Sequence, residues 1–267
     1  MSFYRTFAIV IRQFYLIRGS FSRVFPLFVW AGVDMILWGF LTKYLNTVAP
    51  PGFNFIPALL GAVLLWDFFI RIMQGVTMAF FEDVWSRNFL NIFATPLLIS
   101  EYVAGLVLSS ILTSIVGLAV MLLIALVVFK LSFLVYGLMI LPFLLVLFLF
   151  GISLGIFGSA LVLRFGPAAE WFIWPIPALI SPFAGVLYPV STLPGWMRCV
   201  SYALPPSYVF EALRGIIALR SVPAISIVGS ICLALVYIFL AYFFFKKTYQ
   251  STLKSGLIAR YSAENIS

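Results

Sequence analysis

The sequence predicts an all-α integral membrane protein: six transmembrane helices, an N-terminal amphipathic interfacial helix, and short half-inserted extracellular helices before the last span. Two observations carry this reading. Of 267 residues, 64% are hydrophobic and only 9% are charged, whereas a soluble domain carries roughly a quarter charged residues. Four stretches, Tyr102 to Phe129, Leu131 to Leu163, Trp171 to Met197 and Ser221 to Phe245, contain no Asp, Glu, Lys or Arg. Each exceeds the roughly 20 helical residues that cross about 30 Å of hydrocarbon.

Taken in order, residues 1–22 form the interfacial element. Phe3, Phe7, Val10, Phe14 and Ile17 recur on one helical face, while Arg5, Arg12 and Gln13 lie off it, the pattern of a helix resting in a membrane interface. The two arginines are spaced through an apolar pattern and no small-residue cleavage site follows, so no secretory signal is expected. The first two spans, about 24–44 and 56–80, hold charges: Asp34 and Lys43 in one, Asp67 and Arg71 in the other. Spans at about 101–129 and 133–163 are uninterrupted, and in the second of these Gly151 and Gly155 form a small-residue seam suited to close helix packing. The fifth span, about 169–188, contains Pro175, Pro177 and Pro182, so it must be kinked or broken. Residues 189–222 are punctuated by Pro189, Pro194, Pro205 and Pro206 and leave two short amphipathic pieces, in the second of which Glu211 and Arg214 oppose Val209, Phe210, Leu213 and Ile217. Such pieces are expected to dip partway into the outer leaflet, packed on protein. The last span, 224–245, leads into a tail, 246–267.

Six spans place both termini on one side, and the positive-inside bias chooses it. With the termini inside, the cytoplasmic segments hold Arg5, Arg12, Arg18, Arg23, Arg87, Arg164, Lys246, Lys247, Lys254 and Arg260, against Lys43, Lys130, Arg198, Arg214 and Arg220 outside. Both termini are therefore expected in the cytoplasm, with the chain integral to the cell membrane. The net charge of +8 reads as topology and contact with anionic lipid headgroups, not as nucleic-acid binding.

Composition excludes much chemistry. There is no His, which removes the usual general base and the commonest metal ligand. Cys199 and Cys232 have no second pair for a thiolate site and read as packing residues. No metal or other cofactor is expected on this chain.

The segment 81–100 is the most polar stretch between spans. Glu82 and Asp83 come first, then Trp85 and Arg87, then the apolar Phe89, Leu90 and Phe93, before Pro96 forbids further helix. This fits a short helix across the cytoplasmic face. In the membrane, a charge costs at least about 2.5 to 3.5 kcal/mol on insertion scales; Asp67 and Arg71, one turn apart, can neutralise each other, and Asp34 needs a partner or a water-filled cavity. Two readings stay open for these three: a structural cluster between the first two spans, or groups lining a substrate path.

The loop from Glu82 to Gly105, with Arg87, Leu90, Thr95-Pro96-Leu97, Glu101 and Gly105, resembles the intracellular loop of the ATP-binding cassette permeases called ABC-2 type. The run Ser181-Pro182-Phe183, Tyr188-Pro189, Leu193-Pro194-Gly195-Trp196, Leu204-Pro205-Pro206 and Glu211-Ala212-Leu213-Arg214-Gly215 is similar to that family's extracellular signature. The resemblance implies an exporter built from two permease copies and two cytosolic ATPase subunits. Glu82, Trp85, Arg87, Phe89, Leu90, Phe93 and Pro96 would couple to the ATPase, and Pro189, Pro194, Trp196, Pro205, Glu211 and Arg214 would form the extracellular gate. The Asp67–Arg71 pair departs from the family pattern. The chain lacks a G-x-x-x-x-G-K-[ST] loop, so ATP and Mg would be held by the partner. The expected cargo is a lipid, a lipid-linked saccharide or a hydrophobic drug. The competing reading is an ion-coupled secondary transporter or channel using Asp34, Asp67 and Arg71.

Overall fold

A computed structural model describes residues 2–48, 55–86, 88, 91–92, 94–219 and 223–256. Its helices are α1 (Phe3–Arg18), α2 (Phe21–Val48), α3 (Gly61–Trp85), α4 (Ile99–Phe129), α5 (Ile140–Phe165), α6 (Glu170–Ile173), α7 (Pro175–Ala184), α8 (Gly195–Tyr202), α9 (Pro205–Ile217) and α10 (Ala224–Lys254). A π-helical turn, Ile56–Leu60, leads into α3, and a 3-10 stretch, Phe133–Met139, leads into α5. Among the described residues, five helical segments are long and apolar enough to cross a membrane.

The bundle is ordered α2, α4, α3, α5, α10 by direct packing. α3 is central and buried along most of its length, with α4 on one side and α5 on the other. Lipid is as apolar as leucine, so burial of carbon alone does not hold these helices together; close approach and hydrogen bonds do. The α3–α5 contact shows how. A Cβ on Gly155 would lie 2.7 Å from Val76 Cβ and 3.0 Å from the Met73 carbonyl oxygen, and one on Gly151 would lie 3.0 Å from Ile72 Cγ2. The missing side chains let the backbones meet, and Thr77 Oγ1 donates across the seam to the Gly155 carbonyl at 3.1 Å. Phe69 and Phe150 stack in the same seam. The outer helices α2, α4 and α10 expose most of their apolar surface, as lipid-facing helices do.

The fifth expected span differs from a continuous helix. Gly166 takes φ 64°, a 3-10 turn follows, and α6 and α7 are only 4 and 10 residues long. Pro175 and Pro177 lack N–H donors and Pro182 interrupts α7, so no long ladder of hydrogen bonds can run through this segment. α7 ends at Gly185, whose φ of 67° turns the chain back at little steric cost. Three expectations shift. α3 extends to Trp85, so Glu82, Asp83 and Trp85 lie on its last turns rather than in a loop; α10 extends to Lys254, so Lys246 and Lys247 are helical rather than in a tail. Cys199 and Cys232 are both free and exposed and do not pack in the core.

Phe80 of α3 packs edge-on to Phe245 of α10, so the C-terminal ends of these helices share one end of the bundle with α1. At the other end, Tyr136 donates to the Pro57 carbonyl at 2.5 Å, Trp66 meets Phe210, and α8 and α9 form a cap over α5 and α10.

Candidate functional site

Charged side chains gather at three levels of the bundle. The first joins α1 to the ends of α3 and α4. Asp83, in the last turns of α3, is 2% exposed. It accepts both terminal nitrogens of Arg12 in α1, Nη1 at 2.8 Å and Nη2 through the other carboxylate oxygen, and the Tyr102 hydroxyl at 2.6 Å. A forked guanidinium and a phenol together satisfy a carboxylate that would otherwise be expensive to bury. The hydrogen bond to Asp83 raises the Arg12 pKa above its ordinary value, so Arg12 stays charged throughout the physiological range. Glu101, 1% exposed in the first turn of α4, accepts the Leu98 N–H at 3.1 Å, which caps its own helix, and the Ser2 N–H at 2.6 Å, which fastens the start of α1. Arg5 donates to the Pro96 carbonyl at 2.5 Å and lies 3.7 Å from Glu101. One turn on, a Cβ at Gly105 would sit 2.5 Å from Ile9 Cβ, so glycine here lets α1 lie flat against α4.

The face by which α1 docks is thus the one carrying Arg5, Thr6, Ile9, Arg12 and Gln13, while Phe3, Phe7 and Phe14 point away from the protein and Val10 is buried. Beside α1 lies a groove of about 430 Å³, lined by Arg5, Ile9, Arg12, Asn91 and Thr95.

The second level is a cavity of about 460 Å³ among α2, α3 and α4, closed on one side by Trp174. Arg71 Nε donates to Asp67 Oδ2 at 2.7 Å within α3, and the arginine stem lies over Gly117 of α4. Asp34, half-buried on α2, faces the same cavity.

The third level is the cap at the opposite end. Glu211 accepts the Val190 N–H at 2.7 Å and Arg214 Nη2 at 2.8 Å, tying α9 to the turn after α7. Arg198 donates to the carbonyls of Leu193 and Ser191, and Ser201 Oγ donates to the Phe183 carbonyl at 2.6 Å. Tyr237 of α10 donates to the Ala203 carbonyl at 3.0 Å. This proline-rich segment is a cap tied together by its own polar groups and joined to α10 through Tyr237.

With this layout in place, the family described as ABC-2 type transporter matches the chain over residues 4–218, from α1 through the end of the cap. The chain belongs to the ABC-2 type transporter family. It is a permease component of an ABC transporter, the membrane-spanning part rather than a nucleotide-binding domain, and it is integral to a membrane. Permeases of this family normally work with an ATP-binding subunit. No individually curated protein matches the chain.

In the permease, the residues singled out from sequence fall as follows. Asp34, Asp67 and Arg71 come together on one cavity. Gly151 and Gly155 line the α3–α5 seam, an intramolecular contact. Glu82 is half-buried, and Trp85 and Pro96 are exposed beside the α1 groove. Arg87, Phe89, Leu90 and Phe93 lie outside the described residues. In the cap, Pro189, Pro194 and Trp196 are exposed, Pro205 is buried at the start of α9, and Glu211 and Arg214 pair.

Sequence reasoning missed the clamp. Arg12 and Asp83 are 71 residues apart, and nothing local marks them as partners. It also passed over Ser114, a residue of the cavity wall on a helix where serines are ordinary.

Proposed function

We propose that this permease is the membrane half of an ATP-driven exporter, with two copies of it joined to two cytosolic ATPase subunits that hold ATP and Mg. It would carry a hydrophobic or amphipathic substrate, such as a lipid, a lipid-linked saccharide or a drug, out of a bacterial cell across the inner membrane. Both termini would face the cytoplasm, as the ten-to-five bias of Lys and Arg supports. The observation that carries the reading is the clamp of Arg12, Asp83, Tyr102 and Glu101. It makes α1, the end of α3 and the start of α4 one mechanical unit.

A subunit pressing on that unit would move α3, the central helix, whose far end contacts the cap through Trp66 and Phe210. ATP-driven closure of the ATPases would then bias the permease pair between inward-open and outward-open states, with the cap as the exit gate, and substrate would bind more weakly in the second state. The double substitution Arg87→Glu with Phe89→Ala tests this in proteoliposomes. ATP hydrolysis should continue while transport falls at least tenfold; unchanged transport per ATP would remove the coupling assignment.

The cavity bearing Asp34 and Asp67 is the observation that favours the second reading, an ion-coupled carrier. In that case transport would follow an imposed proton or sodium gradient and need no ATP.

A further inference from the structure

The cavity among α2, α3 and α4 has an unbalanced inventory. Asp67 and Arg71 neutralise each other inside one helix. Asp34 has no hydrogen-bond or ion-pair partner among the described residues, although it lies within electrostatic reach of both. The site therefore holds two carboxylates and one guanidinium, one formal negative charge in excess, in a region where an isolated ion is expensive. A second group is also unmatched. Ser114 is 2% exposed, lines the same cavity, and its hydroxyl has no partner among the described residues. Serines in apolar helices ordinarily bond back to the carbonyl one turn earlier, as Ser109 does to Gly105 at 2.9 Å. Ser114 does not, so a buried hydroxyl without a partner among the described residues sits in the wall of the cavity. The remaining wall includes the indoles of Trp30 and Trp174, and indole is the aromatic surface that attracts cations most strongly. The volume is that of a site for a drug-sized molecule.

We propose that this cavity is a binding site for a monocationic amphiphile: one ammonium-like or phosphonium centre on an apolar body. Asp34 supplies the counter-charge, and Trp30 and Trp174 pack the apolar body and the cation. Arg71 cannot serve an anionic head equally, because Asp67 already takes its charge at 2.7 Å. As a transport site the cavity rests on the exporter reading; as a binding site it does not, since binding needs neither ATP nor an ATPase.

The test is equilibrium binding to the full-length permease in nanodiscs of phosphatidylcholine, a net-neutral lipid. Tetraphenylphosphonium and tetraphenylborate are nearly the same size and opposite in charge, and tryptophan quenching reads both. Saturable binding of tetraphenylphosphonium, at least tenfold tighter than of tetraphenylborate, is expected. Asp34→Asn should weaken it at least tenfold and Asp34→Glu less than threefold, in protein whose helical content and monodispersity match the parent. Competition by dodecyltrimethylammonium would extend the site to single-chain amphiphiles that arrive from the bilayer. Failure to compete would restrict it to compact aromatic cations. Equal binding of both ions, or wild-type affinity in Asp34→Asn, would overturn the proposal while leaving the ATP-coupling reading untouched.

Discussion

The clamp at one end of the bundle and the cavity within it use the same materials, two acidic residues with one or two arginines, and put them to different ends. In the clamp every group is bonded across elements: Arg12 of α1 to Asp83 of α3, Tyr102 of α4 to the same carboxylate, and the Ser2 N–H to Glu101 of α4. In the cavity the ion pair seen among the described residues is internal to α3, and Asp34 and the Ser114 hydroxyl have no bonded partner among those residues. Bonds between elements hold a structure together. A pair within one helix mainly lowers the cost of keeping charge in the membrane, and what remains unpaired is free to meet a ligand.

If that contrast is right, the two regions respond oppositely to substitution. Asp83→Ala would strand Arg12 and the Tyr102 hydroxyl, and loss of one partner from a largely buried pair costs about 3 kcal/mol; the melting temperature of purified permease should fall well below the parent's, and α1 should become cleavable by protease. Gly155→Val would push α3 from α5 at a cost of about 2 kcal/mol, with a clear but smaller fall in melting temperature. Glu211→Ala would free the turn at Val190 and cost about 1 kcal/mol, because this carboxylate is partly exposed. It should show chiefly as faster proteolysis between residues 185 and 204. At the bottom of the series, Asp34→Asn removes no hydrogen bond among the described residues and should change stability by less than about 0.5 kcal/mol, while abolishing high-affinity cation binding. An Asp34→Asn variant that melts as early as Asp83→Ala would erase the distinction between the two regions.

The membrane helices were legible in the sequence because lipid imposes a single requirement, an apolar run of sufficient length. The broken fifth span was equally legible, since Pro175, Pro177 and Pro182 state where helical hydrogen bonds cannot form. The Asp67–Arg71 pair could be read because it is local, four residues apart on one helix. The clamp could not, because Arg12 and Asp83 meet only after α1 folds back across α4, and no periodicity encodes that return. Trp174 was hidden for the same reason: it lies far along the chain from Asp34 and Asp67, whose cavity it lines. Glu101 and Gly105 stood within a recognisable motif, but only the geometry shows that one holds the start of α1 and the other makes room for it.

The account turns on whether the segment 81–98 is the seat of an ATP-binding partner. Native mass measurement of the full-length permease, extracted gently from its own membrane, addresses that most directly. The account predicts a particle of two permease chains and two ATP-binding chains, reduced to the bare permease pair by Arg87→Glu with Phe89→Ala. Permease that carries no ATP-binding chain, or a particle whose composition that double substitution leaves unchanged, would contradict it.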